Sequence, residues 1–190
     1  MDSVTALERA YESMRNATAD LGPAQMTAPS QCDGWDVKTL LNHVFGVGWM
    51  FTLVNQGQAL GEDSGDVVGT DPALACREVA AANIAAWKID GAFDGDRTYP
   101  FGSFPAPRAL LINVGEIAVH AWDVAKSTGQ DASIDSGVAA LLWDFYNSLP
   151  LEAFREHGAF GPVVPVPESA PVADRVLGLI GFQPLAVRAA

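Results

Sequence analysis

Near the middle of the 190-residue chain, Glu116 and His120 stand four residues apart in a run whose apolar positions are Leu110, Leu111, Val114, Ile117, Ala118, Ala121 and Val124. That three-and-four spacing predicts a helix with one buried stripe, running from about Ala106 to Thr128 and closed by Gly129. Residues four apart on a helix share a face, with Cβ atoms about 5–6 Å apart. A carboxylate and an imidazole so placed beside a core can hydrogen-bond each other or share a metal ion, and the spacing leaves both open. A third group of related chemistry lies upstream. His43 falls three residues after Leu40 and four before Val47, at or beside the apolar face of another helix. Alone, a histidine so placed is usually a core histidine satisfied by one hydrogen bond.

Taken together, His43, Glu116 and His120 supply two imidazoles and one carboxylate, the donor set of catalytic zinc sites that keep a position for water or substrate. Nickel, iron, cobalt or manganese would accept the same donors. Burying three ionisable groups in an apolar interior is costly, and a metal relieves that cost. Asn113, one turn before Glu116, and Asp123, three residues after His120, are candidates to hydrogen-bond a ligand from behind. Both can also be ordinary capping or surface residues. The remaining histidine, His157, stands beside Gly158 near a helix end and is expected to be exposed and without chemistry.

The elements that must position these groups are legible from periodicity and caps. A first helix spans about Asp2 to Leu21 and stops at Gly22-Pro23, and residues 22–35 read as a loop. Asp36 caps a helix from Val37 to about Asn55, and Asp71 with Pro72 opens one to about Ile89. Between them, residues 56–70 carry four glycines and several acids, as a flexible connection would. Residues 90–107 mix glycine, aspartate, proline and aromatics, and can hold a short strand or a structured loop. After the Glu116 helix, Asp135 caps a helix to Leu149, followed by a short turn, an extended segment at 160–167 and a last helix from about Ala173 to Ile180. Four long amphipathic helices with short additional ones and no convincing sheet predict an all-α four-helix bundle, forming one domain over residues 1–190.

Composition sets the outer bounds. With 23 acidic against 11 basic residues, the formal charge is −12, which disfavours nucleic acid and anionic membranes as partners. No run reaches the 18 or so apolar residues of a membrane span, and the Met1-Asp2-Ser3 start has no signal-peptide layout, so a cytoplasmic protein is expected. Two isolated cysteines, Cys32 and Cys76, are expected to be reduced. A homodimer through an exposed helix face is a further expectation.

The segment Cys32-Asp33-Gly34-Trp35-Asp36-Val37-Lys38-Thr39-Leu40-Leu41-Asn42-His43 resembles the Cys-x-x-Trp-x-Val-x-x-Leu-x-x-His signature of the DinB-like superfamily. The closer likeness is to its branch named for the mycothiol-dependent maleylpyruvate isomerase N-terminal domain, whose second motif matches Glu116-x-x-x-His120-x-Trp122-Asp123. Phe160-Gly161-Pro162, Val164-Pro165-Val166-Pro167, Ala170-Pro171, Asp174-Arg175 and Gly181 resemble the tail of an uncharacterised metal-binding subfamily. The resemblance implies a DinB-like four-helix bundle and a divalent metal, usually zinc, on His43, Glu116 and His120. It also implies chemistry with a low-molecular-weight thiol such as mycothiol, bacillithiol or glutathione, which leaves Cys32 a structural rather than a catalytic role. The isomerase itself carries a second, substrate-binding domain that this sequence does not include, so maleylpyruvate is not the expected substrate.

Three functions are therefore in play. The first is a thiol-using transferase or isomerase acting on a small electrophile, in a cleft walled by Trp35, Phe101, Phe104 and Trp122, with Arg108 the best-placed cation beside Arg97 and Arg175. The second is a hydrolase using metal-bound water, for which Asp123 is the only nameable base. The third is a non-enzymatic metal- or small-molecule-binding bundle, which a fourth coordinating side chain would favour.

Overall fold

Side-chain caps set most of the long helices in a computed structural model that describes residues 1–61 and 65–184. Asp2 accepts from Thr5 N at 2.9 Å to start α1 (Ser3–Thr18), and Asp36 accepts from Thr39 N at 2.8 Å to start α3 (Val37–Asn55). Asp71 does the same for Leu74 N at α4 (Pro72–Ala86), where Pro72 occupies the first turn. Each bond satisfies a backbone donor that the helix cannot pair internally. α5 (Ala106–Ser127) carries Glu116 and His120 and ends at Gly129, whose φ of 74° is readily adopted by glycine.

Several boundaries differ from expectation for local reasons. α1 ends at Thr18, whose hydroxyl donates back to the Met14 carbonyl at 2.9 Å. The loop expected at 22–35 contains a one-turn helix, α2 (Pro23–Met26), which Pro23 favours by its fixed φ and which Gln25 closes by accepting from Gly22 N at 2.9 Å. α4 stops at Ala86 rather than near Ile89. The 90–107 stretch resolves into an antiparallel hairpin of β1 (Asp96–Tyr99) and β2 (Gly102–Pro105), with Arg97 opposite Phe104. Of the expected flexible connection, residues 62–64 lie outside the described residues. Its later part is held to α3, where Val68 N donates to Asn42 Oδ1 at 3.0 Å and Lys38 pairs with Asp66 at 2.6 Å.

The contacts fall into two compact units, Met1–Ala132 and Ser133–Ala190. In the first, α1 packs on α4 and α5, and α3 packs on α4 and α5, closing a four-helix ring around the core. α5 is buried well beyond one stripe, at Val119, Trp122 and Asp123 as well as at every expected position but the half-buried Leu111, because it packs against both α1 and α3. α3 is long and apolar enough, by length and composition, to match a membrane span, but it packs as a core helix of this bundle.

The second unit contains α6 (Ser136–Asn147), α7 (Leu151–Glu156) and α8 (Val172–Ile180), with α6 packed on α8. The extended 160–167 segment runs against α8, with Val164 N donating to Gly178 O at 2.9 Å. A Cβ added at Gly178 would lie 2.6 Å from the Val164 carbonyl, so this approach requires glycine. Arg155 donates to the carbonyls of Gly161 and Leu179, and Arg175 lies 4.1 Å over the Trp143 ring. His157 is exposed, as expected.

One buried polar network locks three helices of the bundle. Tyr11 donates to Asn83 Oδ1 at 3.1 Å, while Asn83 Nδ2 donates to the Gly48 carbonyl at 3.1 Å and to Thr52 Oγ1 at 3.2 Å. This brings α1 and α4 so close to α3 that a Cβ on Gly48 would lie 2.7 Å from both Tyr11 Oη and Val79 Cγ2. Gly48→Ala should therefore cost about 1–3 kcal/mol, the usual penalty for overpacking a filled core. Urea denaturation of wild type and variant measures it, and equal midpoints would show that the contact yields freely.

Candidate metal centre

His43 projects from α3, and Glu116 and His120 project from α5, on the side where these two helices pack. One ligand atom from each of the three lies within 4.8 Å of the other two. His43 Nε2 and His120 Nε2 are each 3.5 Å from the same oxygen, Glu116 Oε2. The imidazole rings meet edge-on, with centroids 5.6 Å apart and planes at 88°.

Those distances bear on what holds the cluster. An N–H···O bond is centred near about 2.9 Å, and Glu116 Oε2 is buried with no hydrogen bond of normal geometry. Donors placed about 2.0–2.2 Å from a tetrahedral ion lie roughly 3.4 Å from one another. Two imidazole nitrogens at 3.5 Å from one carboxylate oxygen therefore match the edge of a coordination polyhedron better than a pair of hydrogen bonds. The donor set fits a divalent cation both in kind and in spacing.

The cluster sits at an edge of the bundle rather than deep in its interior. The His43 side chain is 38% exposed, that of Glu116 32% and that of His120 12%, although Glu116 Oε2 itself is buried. His43 thus stands beside the apolar stripe of α3, and solvent reaches it. Trp35 covers part of it, its ring centroid 5.0 Å from that of His43.

Behind His120, Asp123 is completely buried. Its Oδ1 accepts from Gln31 N at 3.0 Å and Ser127 Oγ at 2.9 Å, and its Oδ2 accepts from Cys32 Sγ at 3.7 Å. Cys32, Asp123 and a ring nitrogen of His120 form a second group within 4.8 Å, so His120 belongs to both clusters. The Cys32 contact spans 91 residues of sequence, and no local spacing announces it.

The other expected site residues are dispersed. Asn113 is fully buried but engaged elsewhere, its Oδ1 accepting from the Trp87 indole at 3.0 Å. Phe101 and Phe104 belong to an aromatic cluster of the hairpin with Tyr99 and Phe51. Phe51 is eight residues beyond His43 on α3, about 12 Å along the axis, so this cluster is not the wall beside His43. Trp122 is buried, with Lys126 4.8 Å over its ring. Arg108 is half-buried. Arg97 is committed to structure, donating to Asn55 Oδ1 and to the carbonyls of Gly91, Ala92, Asp94 and Asp96.

Comparison with known proteins accords with the two motifs. The family model described as the mycothiol maleylpyruvate isomerase N-terminal domain matches residues 7–125, a span that includes all three donors. Two proteins from two strains of Mycobacterium tuberculosis, both named only as uncharacterised, are each 25% identical over 183 residues. Those alignments cover 95% of this chain and 98% of each relative. No solved structure matches significantly.

Protonation states follow from these surroundings. Burial by itself raises the Glu116 carboxyl, but the facing imidazoles of His120 and His43 outweigh it and hold the group well below the usual carboxylate range. A folded state that favours the carboxylate gains stability above the ordinary value of 4.5 and loses it as pH falls below. Metal-free wild type should thus lose stability more steeply than Glu116→Gln on acidification below about pH 4.5; parallel acid-melting curves would contradict the ion cluster. Burial first, then the charge of Asp123, pushes the Cys32 thiol up to about 12. Native Cys32 should therefore alkylate at pH 8 at least about a hundredfold more slowly than in the unfolded chain. Equal rates, read by mass spectrometry, would show an accessible thiol with an ordinary pKa there.

Proposed function

The chain belongs to the mycothiol maleylpyruvate isomerase N-terminal domain family, and from that premise we propose that it is a metal-dependent enzyme joining a low-molecular-weight thiol to a small electrophile, for transfer or for isomerisation by reversible addition. The observation that carries the reading is the pair of imidazole nitrogens at 3.5 Å from one buried carboxylate oxygen, at a solvent-reached edge of the bundle. His43, Glu116 and His120 would hold the cation, most favourably zinc. Bound there, such an ion lowers the pKa of a thiol and keeps the thiolate oriented as a nucleophile.

The chain's own residues do the remainder. Glu116, kept ionised by its two neighbours, offers negative charge to a cation without first losing a proton. The exposed flank of His43 leaves room for thiol and electrophile, and the Trp35 ring supplies an apolar wall there. Three donors from the chain leave coordination open, whereas structural zinc sites use four. The hydrolase alternative is less well supported, because Asp123, its nameable base, is buried with its oxygens engaged by Gln31, Cys32 and Ser127. A cytoplasmic setting, where such thiols are kept reduced, belongs to the same proposal.

Protein purified without added metal should contain about one divalent ion per chain by elemental analysis. His43→Ala and His120→Ala should each lose it while the far-ultraviolet circular dichroism stays helical. Wild-type metal content in both variants would overturn the ligand assignment. The metal-loaded protein should then consume mycothiol, bacillithiol or glutathione in the presence of one or more small electrophiles, and Glu116→Gln should reduce that rate at least about a hundredfold. Inertness with all three thiols across a broad electrophile panel would leave the centre without this activity.

A further inference from the structure

The loop between α2 and α3 is closed on itself before it touches the centre. Ser30 N donates to Trp35 O at 2.9 Å, Trp35 N to Cys32 O at 3.0 Å, and Val37 N to Ala28 O at 3.0 Å. The loop is thus braced internally, and it holds Trp35 against His43. Its fastening to α5 is the Asp123 carboxylate, which takes Gln31 N on one oxygen and Cys32 Sγ on the other. The same carboxylate lies within 4.8 Å of a His120 ring nitrogen, one helical turn away on α5. Ser127, a turn further on, donates at 2.9 Å to Oδ1, the same oxygen that Gln31 N bonds.

Removing a carboxylate wholly from water is expensive, and three donors in hydrogen-bond contact offset that cost only while their geometry is kept. Moving Asp123 therefore means breaking several contacts at once. A fixed carboxylate within 4.8 Å of a ring nitrogen favours, through its charge, the tautomer and ring orientation that turn an N–H towards it.

We propose that Asp123 is the positioning residue of the centre: one buried carboxylate orients the His120 ring and fastens the loop that lays Trp35 against His43. Both histidines are then set from a single point on α5, one through the charge of the carboxylate and one through the loop. The inference rests on the metal-centre reading for its purpose, but not for its geometry.

The test uses the full-length chain as wild type and Asp123→Asn. Zinc affinity is measured by competition with a chromophoric chelator, and the visible spectrum of the cobalt-loaded protein reports ligand geometry. Asp123→Asn should bind zinc about 10–100-fold more weakly and give an altered cobalt spectrum. Unchanged affinity with an unchanged spectrum would overturn the inference. Wild type that binds neither ion would instead defeat the metal reading. A third readout covers that case and any failure of the variant to fold: nitrogen-15 NMR of the histidines in metal-free wild type. One dominant neutral tautomer of His120 is expected, and a mixture close to that of free imidazole would overturn the inference.

Discussion

The approach of α3 to α5 is the constraint on which the centre depends. His43 comes from one helix and Glu116 with His120 from the other, so their spacing is a packing distance rather than a local one. α3 is itself held against α1 and α4, where Gly48 admits Tyr11 and Val79 to contact and Asn83 bonds the Gly48 carbonyl. Interiors packed at close to crystal density transmit such restraints with little slack.

The donors show why polar groups are tolerated at this position. Two imidazoles keep the Glu116 carboxyl ionised despite a buried oxygen, and that carboxylate in turn gives the imidazoles an electrostatic partner. Both imidazole nitrogens stand 3.5 Å from the same carboxylate oxygen, longer than a well-formed hydrogen bond. Such a cluster has most to gain from a cation that all three groups can reach.

Much of this was legible in the sequence. The two helices that carry the donors were readable to within a residue or so, because Asp36 is an N-cap and Gly129 suits a left-handed stop, both local features with local physical causes. The four-residue spacing put Glu116 and His120 on one face for the same reason. Donor chemistry and the reading of a bundle with facing helices brought His43 into the set, and the motif resemblance then matched it. Less legible were the α2 turn and the hairpin, whose short elements are stabilised by contacts beyond a local window.

What only the tertiary structure decided is how side chains far apart in sequence are used. Asn113 and Asp123 look alike as polar residues beside a ligand, yet Trp87 takes up Asn113 while the 28–37 loop and Ser127 take up Asp123. Phe101, Phe104 and Trp35 all look like walls of one cleft, but only Trp35 meets His43, because Phe104 and Phe101 follow the hairpin to Phe51. Helix periodicity fixes direction around an axis, and caps fix where an axis begins. Neither encodes which partner a buried hydrogen-bonding group will find, since that choice is made by every element packed around it.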